Sequence, residues 1–209
     1  MAGEPDPKSV VAAAAARFFR SYESHCENRG EDGLFALLNA MHSLADKLSR
    51  LGRPNLNASQ NYLALRALRN LFHHESELLH DTRSLAAGDV PQIHTDLAIL
   101  CLVPKASVDR ALQRARDDER SAIGSALHWY GLAVNIEPAI FNVMVDAYEL
   151  LQDKGIEPDD GSFARFDSQY HWETAHGQAH RVTGALLIHV GDIDTVLQSL
   201  LAAPIRTES

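Results

Sequence analysis

The sequence predicts an all-α fold, an antiparallel helical bundle with additional C-terminal helices. Three observations predict it. Apolar residues recur at helical spacing along most of the chain. Capping residues and Gly or Pro stops punctuate these stretches at helix-length intervals. Hydrophobic residues make up 45% of the 209 residues, enough to bury a sizeable core. No internal repeat or low-complexity linker divides the chain. The expected organisation is therefore a disordered start over 1–8 and one helical domain over 9–209, with a bundle core over about 9–135 and a helical layer over about 136–205.

The elements follow in order. Ser9 caps a first helix that runs to about Asn28 and ends at Arg29-Gly30. A second spans about Gly33 to Leu51: Leu34, Leu37, Leu38, Met41, Leu44, Ala45 and Leu48 line one helical face, and Gly52-Arg53-Pro54 stops it. Asn57 and Gln60 form a capping-box-like start for a third helix, expected to reach about Ala87 on a stripe of Leu65, Leu68, Phe72 and Leu79. The wholly apolar run Leu97 to Val103 fits a short buried helix or a strand. Helical pattern resumes from about Ser107 to Leu132, and Pro138 opens another helix ending near Lys154-Gly155. Residues 155–167 read as a polar loop. A last helical region is expected from Ser168 to about Leu201, with a break near Gly191.

Composition narrows the function classes. The formal net charge is -9, so no global positive field draws in nucleic acid, and a phosphate partner needs a local basic patch. Cys26 and Cys101 are the two cysteines; they form neither a disulfide framework nor a metal-ligand spacing, and both are expected reduced and partly buried. Glu4, Pro5, Asp6 and Pro7 precede the short apolar run Val10–Ala16, which argues against a signal peptide. No stretch reaches the roughly 20 apolar residues that span a bilayer. The expectation is a cytoplasmic protein without membrane contact.

The chemistry-bearing stretch is Leu68-Arg69-Asn70-Leu71-Phe72-His73-His74-Glu75 on the third helix. Arg69 carries a permanent charge on planar donors suited to phosphate. His74 can take or give a proton near neutral pH. Asn70 lies four residues before His74, on the same helical face. Arg69 sits about 100° to the side of Asn70. One helix therefore cannot readily close Arg69 and His74 on one phosphate, whereas two helices related by a two-fold axis can. The sequence alone also allows Arg69 to pair with His73 at i+4.

At Arg69, Asn70 and His74, and over roughly Gly33 to Ala87, the chain resembles the HEPN superfamily. Those are helical domains carrying an Arg, a polar residue, three variable residues and a His. The resemblance implies a homodimer, often a metal-independent endoribonuclease without cofactor that acts as a toxin or defence effector, held by an antitoxin or other regulatory protein. On that analogy His74 deprotonates the ribose 2′-hydroxyl, Arg69 stabilises charge on the phosphorane, and Asn70 orients the phosphate or the His. His73, Arg66 and Arg53 are the expected substrate contacts, with Arg50 and Arg83 adding local positive charge. Members also serve as non-catalytic binding modules.

Other readings compete. The same Arg-Asn-x-x-x-His spacing fits an inter-helix polar cluster, with the Arg satisfied by an acid such as Asp46. Two Glu-x-x-His pairs, Glu77/His80 and Glu173/His176, fit a di-metal carboxylate bundle, with Glu23 or Glu27 and Glu149 as further ligands and His180 one turn beyond His176. About 0.6 such pairs arise by chance in this composition, so two carry little weight. His171, Trp172, His176 and His180 form an aromatic-imidazole patch; the expectation is a half-buried seam with Trp172, Ala175, Ala179, Val182 and Leu186 facing inward. The mixed charges from Arg110 to Arg120 read as a solvated face. No Gly-rich phosphate loop or dinucleotide fingerprint is present.

Overall fold

The computed structural model describes residues 6–27, 31–74, 83–86, 93–95, 99–184 and 186–188. The described chain is mostly helical. Its helices are α1 (Pro7–Glu27), α2 (Glu31–Arg50), α3 (Gln60–His74), α4 (Lys105–Arg114), α5 (Asp117–Ala126), α6 (Glu137–Asp153) and α7 (Gly161–Ala175). The strands are β1 (Arg83–Ala86), β2 (Ile93–Thr95), β3 (Ile99–Pro104), β4 (His128–Tyr130), β5 (Ala133–Asn135) and β6 (Leu186–Ile188). The described chain is thus broadly all-α, as expected, but it adds two small antiparallel sheets, ordered β1-β3-β5-β4 and β2-β6.

The first two helices follow the expected boundaries closely. α1 begins at Pro7, inside the stretch expected to be disordered, and Asp6 rather than Ser9 provides the cap: the Ser9 amide donates to its carboxylate at 3.2 Å. α1 packs along α2, burying Val11, Ala14, Phe18 and Phe19 against Leu34, Leu37, Leu38 and Met41. α3 is central, in contact with α2, α4, α5 and α6. Tyr62, Leu63, Ala64, Leu65, Ala67, Leu68, Leu71 and Phe72 are all buried, which leaves α3 apolar around most of its circumference.

From Ile99 onward the ambiguous apolar run is a strand; Leu97 and Ala98 lie outside the described residues. Leu100 to Val103 are buried in succession, as in a strand covered on both faces. β3 pairs with β1 (Ser84 opposite Cys101) and with β5 (Val103 opposite Val134). The expected helix from Ser107 to Leu132 is instead α4, α5 and a β-hairpin. Glu119 reaches back from the third position of α5 to accept from the Arg116 amide at 3.0 Å, starting a new helix where one long helix was expected. Tyr130 faces Ala133 across a two-residue turn whose first residue, Gly131, has φ +58°, a conformation that glycine adopts without strain.

The C-terminal expectation changes most. α7 begins at Gly161, within the expected loop, because Asp160 accepts from the amides of Ser162 and Phe163 at 3.0 and 3.4 Å. It ends at Ala175 instead of continuing to Leu201, with Gly177 at φ +63° just beyond. Its inward face carries Phe163, Phe166 and Tyr170. Phe163 and Phe166 each meet Phe19 edge-on, and Tyr170 lies 4.5 Å from Tyr148 by ring centroid. Trp172 lies two residues beyond Tyr170, about 200° further around the helix. It is therefore outward and 52% exposed, and Ala175 and Ala179 are exposed too, so the expected inward seam is corrected.

Charged pairs hold α7 and the segment after it to α1 and α6. Arg20 meets Asp160, and Arg165 grips Glu23. Arg181 donates to Asp146 at 2.8 Å and to Glu149 at 2.6 Å. Hydrogen bonds from Arg165 and Ser162 hold the Glu23 carboxyl below its ordinary range. Burial pushes Glu149 and Asp160 up, but Arg181 and Tyr170 outweigh it at Glu149, and Arg20 and two backbone amides outweigh it at Asp160, so both end lowered. A carboxyl lowered by folding stabilises above its unfolded value and loses that contribution as pH falls through the folded one. Hydrogen exchange should therefore show residues 161–182 losing protection below about pH 4, before α2 and α3 do. Simultaneous loss in all three would contradict this account.

Candidate functional site

Because α3 is buried nearly all round, its polar residues share one strip. Arg66, Arg69, Asn70 and His73 fall at helical steps of three, one and three. Asn70 and His73 are exposed, and Arg69 is half-buried. The Arg69 Nε donates to Asn39 Oδ1 on α2 at 3.0 Å, and its Nη1 reaches Asn70 Oδ1 at 3.5 Å. Among the described residues no carboxylate pairs with Arg69, and the guanidinium has more donors than these two bonds use. Asn39, not Asp46, is thus its partner.

The seam between α2 and α3 extends this cluster. His42 Nδ1 lies 3.2 Å from the Tyr62 hydroxyl, and its Nε2 lies 3.7 Å from Asp46. Burial lowers the His42 pKa; Asp46 opposes this, while Arg69 and Arg66 reinforce it. His42 is therefore a neutral imidazole near neutral pH. Burial also pushes the Tyr62 phenol up to about 12. Beside Asn70, a cleft of about 200 Å³ opens between α3 and the α4–α5 corner, lined by Ala67, Leu71, Ala111, Arg114 and Glu119 among others.

The expected site residues divide. Arg69, Asn70 and His73 are brought together at the surface, with His73 one turn beyond Arg69 on the same face. His74 closes α3; its side chain lies outside the described residues, as do Glu77 and His80. Arg66 is not poised for substrate: its Nε donates to Glu119 at 2.9 Å and its Nη1 to Asn57 at 2.8 Å. It braces α3 against α5. Arg53 is exposed in the turn before α3, and Arg69 lies roughly 13 Å further along that helix.

The C-terminal members of the di-metal set have other partners. Glu173 bonds His180 at 2.9 Å rather than His176, whose Nδ1 meets the Trp172 carbonyl at 2.7 Å. Glu23 and Glu149 are held by Arg165 and Arg181. Asn39 and His42 were missed by sequence reasoning. Their signal was present: they sit three residues apart on the polar flank of the α2 apolar stripe.

Comparison of the chain with protein-family models, with curated proteins and with solved structures finds no match.

Arg66→Ala takes from Glu119, whose side chain is 7% exposed, the shorter of its two guanidinium contacts and leaves only that of Arg116 at 3.5 Å. Chemical denaturation should show a loss of about 2 kcal/mol. Arg53→Ala should stay within about 0.5 kcal/mol of the parent. Equal effects would refute the bracing role.

Proposed function

We propose that the α3 strip binds the phosphate backbone of RNA and, joined to the same strip of a second copy, cleaves it in the manner of the HEPN domains that its motif resembles. One observation carries this reading. Arg69 is steadied by a neutral amide, not neutralised by a carboxylate among the described residues, and it stands beside exposed Asn70 and His73 at the edge of a cleft. An ordered guanidinium so presented suits a phosphodiester.

The reaction needs no oxidant and no bound group. His74 removes the proton of a ribose 2′-hydroxyl, and that oxygen attacks the adjacent phosphorus. The bond from phosphorus to the 5′-oxygen breaks. The departing oxygen takes a proton from the imidazolium of the second copy, leaving a 2′,3′-cyclic phosphate and a 5′-hydroxyl. Arg69 stabilises the charge that gathers on the phosphorane oxygens, and Asn70 orients the phosphate. Asn39 holds Arg69 in its rotamer.

RNA incubated with the chain, with no divalent ion added, should yield cyclic-phosphate ends. His74→Ala should slow cleavage about 10²–10⁴-fold, and Arg69→Ala about 10²–10³-fold, with circular dichroism unchanged. Equal cleavage by parent and His74→Ala, or none by either, ends the catalytic reading.

A second reading rests on α7. Trp172 is 52% exposed and stacks on His176 at 4.2 Å, above a wide, shallow groove of about 640 Å³. Such an aromatic platform suits a protein partner. Sedimentation separates the two: self-association lost in Trp172→Ala and kept in Arg69→Ala would put the dimer contact on α7 and favour a binding module.

A further inference from the structure

We propose that His25, Cys101 and Glu137 form a buried site for a divalent transition-metal ion of the zinc class, which ties α1 to β3 and α6. The three residues come from distant parts of the chain, yet one ligand atom from each lies within 4.8 Å of the other two. All three are 0% exposed. Nothing about their spacing in sequence suggests a site; the fold alone gathers them.

The donor set selects the metal. A thiolate, an imidazole nitrogen and a carboxylate oxygen together suit zinc or cobalt(II), and disfavour magnesium and calcium, which take oxygen ligands. In a tetrahedral zinc centre, bonds of about 2.0–2.3 Å separate the ligand atoms by about 3.3–3.8 Å. His25 Nε2 and Glu137 Oε2 are already 3.1 Å apart. Drawing the ligand atoms into such a centre is a matter of side-chain adjustment on the scale of an ångström.

A second observation points the same way. Glu137 Oε1 is buried without a hydrogen-bond partner. A carboxylate sealed from water with one oxygen unsatisfied is costly, and a single imidazole offsets only part of that cost. A cation at the common point compensates the carboxylate and accepts the thiolate at once. The loss of the thiol proton on binding makes the affinity rise with pH.

The backbone is arranged as a rigid ligand frame. Asn135 Oδ1 accepts from the Cys101 amide and from the Glu137 amide, each at 3.1 Å. The Ile136 amide donates to the Cys101 carbonyl at 2.9 Å. One buried asparagine thus fixes two of the three ligands relative to each other, as the outer shell of a metal site does. The three residues supply three of the four positions of a tetrahedral centre.

The full-length chain, expressed with zinc in the medium and analysed for its elements, should carry zinc at one equivalent. Cobalt(II) added to the demetallated chain should produce a thiolate-to-metal charge-transfer band and strong tetrahedral visible bands. Cys101→Ser should abolish the charge-transfer band, and Glu137→Gln should weaken cobalt binding. Cys26→Ser should leave the spectrum intact, which identifies the thiol. Zinc should raise the melting temperature of the parent. Substoichiometric zinc together with a featureless cobalt spectrum in the parent overturns the proposal, as does a charge-transfer band that disappears with Cys26→Ser. Should Cys101→Ser fail to fold, the spectra of the parent and Cys26→Ser decide the question by themselves.

Discussion

The burial of α3 on nearly every side governs the molecule. A helix hemmed in by α2, α4, α5 and α6 has room for polar side chains only where those neighbours part. Arg66, Arg69, Asn70 and His73 occupy that opening, and the two arginines meet different constraints. Arg66 turns inward to the Glu119 carboxylate and locks α5 in place. Arg69 is held by the Asn39 amide, and Asn70 and His73 face solvent. The same packing that makes the core therefore decides which cations are structural and which remain available to a phosphate.

Local signals were legible where one element could be read from its own residues. α1, α2 and α6 declare themselves through an apolar stripe and a stop, and their bounds differ from the expected ones by a few residues. The sheet was hidden because its strands are short and apolar, and a buried strand of six residues cannot be told from a buried helical turn by periodicity. The long C-terminal helix was an over-extension. Trp172, Ala175, Ala179 and Val182 match a helical period, but Gly177 and Gly184 take positive φ and break it. Gly184 has a further reason to be glycine: a Cβ there would lie 2.5 Å from the His128 ring. That constraint is tertiary and leaves no trace in the local pattern.

The candidate surface site was half legible. Its α3 members stand in one continuous motif that the sequence displays, and the fold brings Arg69, Asn70 and His73 to one surface. Asn39 and His42 belong to another helix and enter only through packing. Arg66 was misjudged because sequence shows a charge but not its partner, and Glu119 is 53 residues away. The buried triad was illegible in principle. Cys26 and Cys101 lack a zinc-type spacing, and two of the three gathered residues, His25 and Glu137, were never singled out.

An acidic chain that acts on a polyanion must do so at short range. At physiological ionic strength charges more than about 8 Å apart are largely screened, so the overall charge of -9 matters less than the groups at the contact itself. Under the RNA reading, those groups are Arg69 from each of two copies, with Arg114 at the rim of the cleft. Under that reading a single strip offers one guanidinium steadied by an amide. Two-fold pairing doubles the positive charge at the point of contact and excludes water from it, which strengthens each charge-assisted hydrogen bond. On the proposed reading dimerisation and phosphate binding reinforce each other, because two strips together offer a phosphate more charge-assisted donors than one does.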